Sequence, residues 1–344
     1  MDLDARLRAQ VAKATGRSVL DAPVERLKQD ASNRSYFRVG APPESWVLMV
    51  MPPDVSKKSE EVHKGAPPSE LPFLNVHRYL ERIGVRVPRV VHYDEPGGLM
   101  VLEDLGDLTF ENALRFHSAE TLYPRAIDLL ARLRFEAEQR PDPSCIAFSR
   151  AFDEDLYDWE LHHFREYGLE IWSGKKPSGA QRERLDRIFR RISRELAAAP
   201  RGFTHRDYQS RNLMVKDEEI VVIDFQDALQ GPRQYDLVAL LRDSYVELEA
   251  SLVDRMLDRY IEAFARLGGE RIDSGSFKAF FDLLTVQRKL KDAGRFEFIN
   301  RVKGNPDFLV SIPASLRYVK QALDRLPPLT DLREIVAEYV PELR

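Results

Sequence analysis

The stretch HRDYQSRNLMVKDEEIVVIDFQD, residues 205–227, decides the fold of this chain. It places Asp207 five residues before Asn212, and it ends an apolar run with a second aspartate, Asp224. Two apolar runs separated by the polar segment DEE predict a β-hairpin that begins just after Asn212 and ends at Asp224. Such a hairpin would bring the Asn212 amide and the Asp224 carboxylate close together, beside the Asp207 carboxylate.

These three side chains meet the requirements of phosphoryl transfer. The acceptor hydroxyl must be aimed at the γ-phosphorus of a nucleoside triphosphate, and Mg²⁺ must be held against the phosphate oxygens. Asp207 can accept a hydrogen bond from the hydroxyl, while Asn212 and Asp224 offer the oxygen ligands that Mg²⁺ prefers. HRDxxxxN is also the spacing of kinase catalytic loops. We therefore predict a catalytic centre of Asp207, Asn212 and Asp224 that uses ATP and Mg²⁺, with Asn212 and Asp224 as the metal ligands.

Composition excludes several other classes of protein. The chain has 344 residues, 43% hydrophobic and 31% charged, which suits a globular protein with two lobes. A net charge of -4 gives no basic surface for nucleic acid, and no apolar run is long enough to span a membrane. The single cysteine, Cys145, excludes an intramolecular disulfide and fits a reducing compartment. With no signal sequence at the N-terminus, we expect a cytoplasmic protein, and we expect a monomer.

The loop that would cover the nucleotide phosphates lacks glycine. Small polar residues lead into an alternating strand at residues 30–39, the pattern of a hairpin. Such loops are usually Gly-rich so that backbone N–H groups can approach the phosphates. Here the donors would be the side chains and backbone of Ser32, Asn33, Arg34 and Ser35. A surface hairpin without a ligand accounts for the same pattern.

The next strand, residues 46–51, lacks the usual phosphate-binding lysine. It is predicted to be a buried strand that ends at a Pro-Pro pair. Kinases have a lysine at this place to pair with the α- and β-phosphates, and this chain has Met49, which we expect to line the nucleotide site. Arg34, Arg38, Lys57 and Lys58 are the alternative sources of the missing charge.

A hinge is predicted after the next hairpin. Apolar runs at residues 87–93 and 99–102 flank the turn DEPGG, and the polar segment Glu103-Asp104-Leu105 follows. We expect Glu103, Asp104 and Leu105 to contact the adenine; an ordinary acidic turn is the alternative. This divides the chain into a nucleotide-binding lobe, residues 1–104, and a lobe with the catalytic loop and acceptor site, residues 105–344.

Helical spacing dominates the second lobe, so the predicted fold class is α+β, with a small antiparallel sheet lobe and a larger, mainly helical lobe. A helix is predicted to begin at Tyr235, eleven residues after Asp224. Protein kinases need a longer segment with an APE motif at this place to seat a peptide. Since both are absent, the predicted acceptor is a small molecule.

The sequence resembles a known family at several motifs. HRDYQSRNL, IDFQDALQGP and YDLVALLRD together resemble the aminoglycoside/choline kinase-like phosphotransferases, which are relatives of protein kinases. The closer resemblance is to the bacterial kinases that phosphorylate N-acetylmuramate and N-acetylglucosamine at the anomeric hydroxyl during cell-wall recycling. It rests on DASNRSYFRV at 30–39, MPP at 51–53, LEDLGD at 102–107 and QRKLKDAGRF at 287–296. That subgroup also lacks the strand lysine. Departures are the long loop 52–68 and Arg295, where an apolar residue is expected.

The resemblance implies a two-lobed, protein-kinase-like fold and roles for individual residues. Asp207 would orient and deprotonate the acceptor hydroxyl, while Asn212 and Asp224 would bind Mg²⁺. The implied contacts to the sugar or its surroundings are Asp227, Arg242, Asp243, Tyr245, Gln287 and Arg288. For Arg288, binding of an anionic group and a structural ion pair stay open as alternatives. Asp236 is expected to brace the catalytic loop.

The leading hypothesis is an ATP-dependent kinase for the anomeric hydroxyl of an N-acetylated amino sugar. An aminoglycoside, choline-like or other small-alcohol kinase is the alternative within the same class. A non-catalytic nucleotide-binding protein is the alternative from another class, suggested by the missing glycine loop and lysine. The presence of Asp207 beside both metal ligands argues against it, because a binding protein needs no base.

Overall fold

The structure, a computed structural model, describes residues 2–27, 34–51 and 70–343. The N-terminal lobe contains a five-stranded antiparallel sheet in the order β1-β2-β3-β5-β4. Its strands are β1 (Val24–Arg26), β2 (Ser35–Ala41), β3 (Glu44–Val50), β4 (Val90–Asp94) and β5 (Leu99–Glu103). Its helices are α1 (Leu3–Thr15) and α2 (Pro72–Arg82).

Both faces of this sheet are covered because its central strands alternate two sets of apolar residues. Leu48 and Val101 pack with α1 in a small core. Their neighbours Met49 and Met100 face the other way, into a larger core that includes α2 and most of the second lobe. Met49 is completely buried there. The position where kinases carry a lysine is therefore part of an apolar layer.

The second lobe is mainly helical, which confirms the predicted α+β class. Its helices are α3 (Phe110–Ala113), α4 (Ala119–Gln139), α5 (Glu154–His163), α6 (Gly179–Ala197), α7 (Gln234–Leu241), α8 (Ala250–Arg266), α9 (Ser274–Lys303), α10 (Ile312–Asp324) and α11 (Thr330–Tyr339). Its short strands are β6 (Gly202–Thr204), β7 (Leu213–Lys216), β8 (Glu219–Val222) and β9 (Leu229–Gly231). A π-helical segment, Phe164–Ile171, continues α5.

The hairpin predicted from residues 213–224 is confirmed. Strand β7 pairs with β8, with Leu213 opposite Val222. The two turn residues, Asp217 and Glu218, have φ angles of 49° and 62°, as the tight turn of a two-residue hairpin requires. The Ile223 N–H donates to the Asn212 carbonyl at 3.0 Å, which holds Asn212 beside the end of the second strand.

Helix α9 is the central helix of the second lobe. Residues 281–290 are all buried, since α9 packs against α10, α7 and the π-helical segment. Gly294 permits the close approach of this segment, because a Cβ there would lie 2.7 Å from the Phe164 Cα. Solvent access to α9 returns at Lys291 and Asp292, which are partly exposed.

Candidate active site

The catalytic loop, residues 205–212, is held by the buried carboxylate of Asp236. The N–H groups of His205 and Arg206 donate to its two oxygens at 2.7 and 2.9 Å. Arg206 has a φ of 81°, which is unfavourable for a side chain other than glycine, so these bonds stabilise a strained turn. Burial raises the pKa of Asp236 even though both donors favour its charged form. Asp236 is thus a brace beneath the loop.

Asp243 braces the other end of the loop. Its carboxylate accepts hydrogen bonds from the N–H and hydroxyl of Ser210 and from the N–H of Tyr245, at 3.1 Å for the last. The residue is buried, and burial raises the pKa of its carboxyl. We predicted Asp243 as a sugar contact, but three protein donors occupy its oxygens. This geometry favours a structural role.

Asp207 projects from the loop with 37% of its side chain exposed. Arg288 of α9 binds it from behind: one guanidinium nitrogen donates to Asp207 Oδ1 at 3.2 Å, and the other donates to the Arg206 carbonyl at 2.7 Å. Arg288 is 3% exposed and stacks over the Tyr235 ring at 4.6 Å. Of the two alternatives for Arg288, this geometry favours the structural ion pair.

The Asp207 carboxylate is in its charged form at neutral pH. Burial of this carboxyl raises its pKa. The positive charges around it, of which those of Arg288 and Lys291 are the largest, outweigh this effect and hold the pKa below its usual value. An ionised, partly exposed carboxylate can accept a hydrogen bond from an acceptor hydroxyl. Asp207 is therefore placed and charged as a base requires.

Asn212 and Asp224 lie next to Asp207. The Asn212 amide donates to the Asp207 carbonyl at 2.9 Å, which leaves the amide oxygen available as a ligand. Asp224 has a φ of 62° and is exposed to solvent. The Gln226 amide donates to Asp224 Oδ1 at 2.8 Å. Loss of hydration to neighbouring protein atoms and the negative charge of Asp207 raise the pKa of Asp224. A cation bound next to this carboxylate would therefore stabilise its charged form.

The oxygens of Asn212 and Asp224 suit a metal ion that also binds the nucleotide phosphates. Within the described residues, no cluster of three or more His, Cys, Asp or Glu side chains could hold a metal ion by itself. Mg²⁺ is usually bound by one or two carboxylates together with substrate phosphates and water. One carboxylate, Asp224, and one amide, Asn212, match that pattern.

The residues predicted to bind the nucleotide are only partly described. Ser32 and Asn33 lie outside the described residues. Ser35 begins strand β2 and Arg34 precedes it, and the charge of Arg34 acts on both Tyr36 and Asp224. Arg34 therefore lies near Asp224, where phosphates would meet the metal.

The two acidic side chains of the hinge, Glu103 and Asp104, form hydrogen bonds with other residues of the protein. Asp104 accepts hydrogen bonds from Arg38 Nε at 2.7 Å and from the Ser45 hydroxyl at 2.7 Å. Glu103 accepts from Arg86 at 2.6 Å and Lys216 at 3.1 Å. Burial would raise the pKa of Glu103, but these donors lower it to about 2. A contact between this segment and adenine would therefore use backbone groups. A cavity of about 740 Å³ borders the hinge and is lined by Glu103, Asp104, Leu105, Trp46 and Arg89, among others.

The remaining predicted sugar contacts lie in different places. Arg242 is 1% exposed and packs between the rings of Phe281 and Tyr318, and Gln287 is buried with its amide donating to Glu160 at 2.7 Å. This enclosure favours structural roles for both. Tyr245 stacks under the Arg211 guanidinium at 3.6 Å, and Asp227 is partly exposed next to Gln226.

Several residues of the site were not predicted from the sequence. Gln226, which binds Asp224, had one local signal, its position two residues after the predicted metal ligand. Lys216, which binds Glu103 and the Asp104 carbonyl, had none. Lys291 follows Arg288 by three residues, and this helical spacing was a signal that it shares a face with Arg288.

Arg38 was a candidate for the missing phosphate charge, but its guanidinium binds Asp104 and Asp107, which favours a structural role at the hinge. The other two candidates, Lys57 and Lys58, lie outside the described residues.

Comparison with known proteins shows the family of this chain. The sequence profile described as "Phosphotransferase enzyme family" matches residues 23–269. An N-acetylmuramate/N-acetylglucosamine kinase of Pseudomonas aeruginosa is 35% identical over 90% of this chain and 86% of its own length. The protein of the same name from Neisseria meningitidis is 32% identical over 90% of this chain and 89% of its own length.

Solved structures share the fold at low sequence identity. The gentamicin complex of APH(2")-IIa has a TM-score of 0.59 at 14% identity, covering 92% of this chain and 97% of that one. Choline kinase LicA from Streptococcus pneumoniae has a TM-score of 0.57 at 12% identity, covering 94% and 99%. Among the described residues, no helix is long and apolar enough to cross a membrane.

Proposed function

The chain belongs to the phosphotransferase enzyme family, and we propose that it transfers the γ-phosphate of ATP to the anomeric hydroxyl of N-acetylmuramate or N-acetylglucosamine. The product would be the sugar 1-phosphate. Relatives named for these two sugars, aligned over 90% of the chain, support the choice of acceptor. The observation that carries the proposal is the ionised, partly exposed Asp207 beside Asn212 and Asp224.

Asp207 acts on the acceptor in this proposal. Its carboxylate accepts the hydrogen bond of the anomeric hydroxyl, aims the oxygen at the γ-phosphorus and takes its proton during transfer. An anomeric hydroxyl is more acidic than an ordinary alcohol, so a carboxylate of lowered pKa can still serve as its base. Arg288 holds that carboxylate in one orientation.

Asn212 and Asp224 would hold Mg²⁺, which neutralises charge on the phosphate oxygens when bound. The exposed Asp224 carboxylate and the available Asn212 oxygen support this assignment. Arg34, whose charge acts on Asp224, supplies a positive group on the phosphate side. We assign the nucleotide to the lobe of residues 1–104 and the acceptor to residues 105–344, with backbone groups of Glu103–Leu105 near the adenine.

The deciding experiment measures ATP consumption with a panel of acceptors. N-acetylmuramate, N-acetylglucosamine, N-acetylgalactosamine, glucosamine, choline and an aminoglycoside would be compared at equal concentration. We expect turnover with the first two sugars, and phosphorus NMR of the product should show the phosphate on C1. Turnover with only choline or the aminoglycoside, or a phosphate on another carbon, would exclude the proposed acceptor.

We further propose that the protein acts in the cytoplasm, where ATP is available, and as a monomer. The buried, free Cys145 is consistent with a reducing compartment. Light scattering of the purified protein would give one mass near 39.7 kDa; twice that mass would contradict the monomer.

A further inference from the structure

Lys291 of α9 is a cationic group near the catalytic loop that the proposed function does not yet use. It follows Arg288 by three residues, and residues three apart on a helix share a face. Because Arg288 contacts Asp207 Oδ1, Lys291 lies about one helical turn further along the face that meets the catalytic loop. Its positive charge is among those that lower the pKa of Asp207.

The charges around the site separate into two groups. Lys291 acts on Asp207, Glu160 and His163, whereas the cation acting on Asp224 is Arg34. Arg34 belongs to the first lobe, to which we assign the nucleotide, whereas Lys291 belongs to α9 of the second lobe, to which we assign the acceptor. The acceptor hydroxyl must lie beside Asp207, which Arg288 contacts about one helical turn from Lys291.

The Lys291 ammonium keeps hydrogen-bonding capacity for a ligand. Its side chain is 13% exposed, at the point where the buried middle of α9 ends. Within the described parts of the chain, its one ion pair is with Asp292 Oδ1 at 3.5 Å. The other oxygen of Asp292 binds Lys289 at 2.7 Å, so two lysines share one carboxylate. An ammonium has three donors, and Asp292 occupies at most one of them.

The surroundings of Lys291 favour an anionic ligand group. Two carboxylates lie near this ammonium: Asp292, which is shared with Lys289, and Glu160, which accepts a hydrogen bond from Gln287. Within the described residues neither forms a short ion pair with Lys291, so a mostly buried ammonium keeps room for a further negative partner. His163 stands near the same charge: burial, Arg295 and Lys291 lower its pKa to about 4, so its ring is neutral at physiological pH. Its Nδ1 atom is buried and has no hydrogen-bond partner within the described residues. The neutral His163 ring can hydrogen-bond an uncharged polar group, and the Lys291 ammonium has donors left for a carboxylate. Together they suit a ligand that carries both kinds of group.

We propose that Lys291 is a specificity-determining residue that binds a carboxylate on the acceptor sugar. This inference rests on the proposed function, in which the acceptors are two N-acetylated sugars. N-acetylmuramate differs from N-acetylglucosamine by a lactyl ether, whose carboxylate is ionised at neutral pH. Lys291 would therefore favour N-acetylmuramate and make no charged contact with N-acetylglucosamine.

The test compares the two sugars as acceptors for wild type and Lys291→Met at saturating ATP. We expect KM for N-acetylmuramate to rise about ten-fold or more, the usual cost of losing a hydrogen bond to a charged group. KM for N-acetylglucosamine should stay within about two-fold, and turnover of this sugar also shows that the variant is folded. Any change in kcat should be the same for both sugars, because the charge of Lys291 also lowers the pKa of Asp207. Lys291→Arg should retain the preference for N-acetylmuramate.

Lys278→Met is the matched control, because Lys278 lies on the same helix but pairs with Asp258, away from the catalytic loop. It should leave both sugars unaffected. An equal rise in KM for both sugars in Lys291→Met would overturn the inference, as would an unchanged KM for both. If the wild type phosphorylates neither sugar, the proposed function itself fails, and that result is distinct from both.

Discussion

The catalytic loop and strand β3 are built in opposite ways. The loop, residues 205–212, is fixed by buried charges: Asp236 and Asp243 below it, and Arg288 behind Asp207. Strand β3 presents Met49, completely buried among apolar neighbours. In the proposed function, the ionic groups that would act on the proton and the phosphates therefore belong to the second lobe and to Arg34, whereas β3 contributes an apolar layer.

The largest expected effect of this asymmetry is at Asp207. Asp207→Ala removes the group that accepts the proton, so kcat should fall by about 100- to 10,000-fold. Nucleotide affinity should stay within a few-fold, because Asp207 lies on the acceptor side. Single-turnover kinetics and calorimetric titration with ATP and Mg²⁺ would measure the two quantities. Unchanged turnover would remove Asp207 as the base.

Asp224→Ala should give the opposite pattern, a loss of magnesium-dependent nucleotide affinity. Loss of an outer-shell partner of a metal ligand costs roughly 10- to 100-fold in affinity, and loss of a ligand should cost at least as much. Titrations with ATP in the presence and absence of Mg²⁺ would isolate the effect. The variant at Asp227, Asp227→Ala, is a nearby control that keeps the Asp224 carboxylate. Wild-type affinity in Asp224→Ala would refute the metal role.

Local sequence predicted the parts of the site that are close along the chain. The hairpin that joins Asn212 to Asp224 follows from two apolar runs and a polar turn, and its register brings Ile223 to Asn212. Asp236 was expected to brace the loop, but the ion pair of Arg288 stayed one of two alternatives, because Arg288 is 82 residues from the Arg206 carbonyl that it binds. The family resemblance made Arg288, Gln287 and Arg242 sugar candidates, and no spacing rule distinguishes a sugar contact from a buried partner at such distances along the chain. The packing of α9 shows that Arg288 forms the ion pair with Asp207, whereas Gln287 and Arg242 belong to the buried core.

Arg288→Met tests whether that long-range ion pair tunes the base, and its expected effect is intermediate. We expect kcat to fall about ten-fold, because the Asp207 carboxylate loses a charged hydrogen bond that orients it. Arg288 holds the pKa of Asp207 below its usual value, so its removal raises that pKa. Activity requires the ionised carboxylate, and the acid limb of the pH profile of kcat/KM should therefore move to higher pH.

Arg301→Met provides the control for this shift, since Arg301 lies on the same helix and pairs with the neighbouring Glu297. Its pH profile should match that of the wild type. If Arg288→Met lowers kcat without moving the acid limb, Arg288 supports the loop but does not tune the base. Thermal unfolding of both variants would show how much of any loss reflects stability.

The smallest expected effect is at Met49, where a substitution tests whether β3 contributes only apolar packing. Met49→Leu keeps an apolar side chain of similar volume, so turnover and nucleotide affinity should stay within about two-fold and stability within about 1.5 kcal/mol. Met49→Lys restores the residue usual in kinases, but it places an ammonium in the apolar layer between Met100 and α2. An uncompensated buried charge costs about 3–5 kcal/mol, which denaturant unfolding would detect. If the lysine variant were as stable as wild type and bound ATP more tightly, strand β3 would face the phosphates and the asymmetry between the two regions would be wrong.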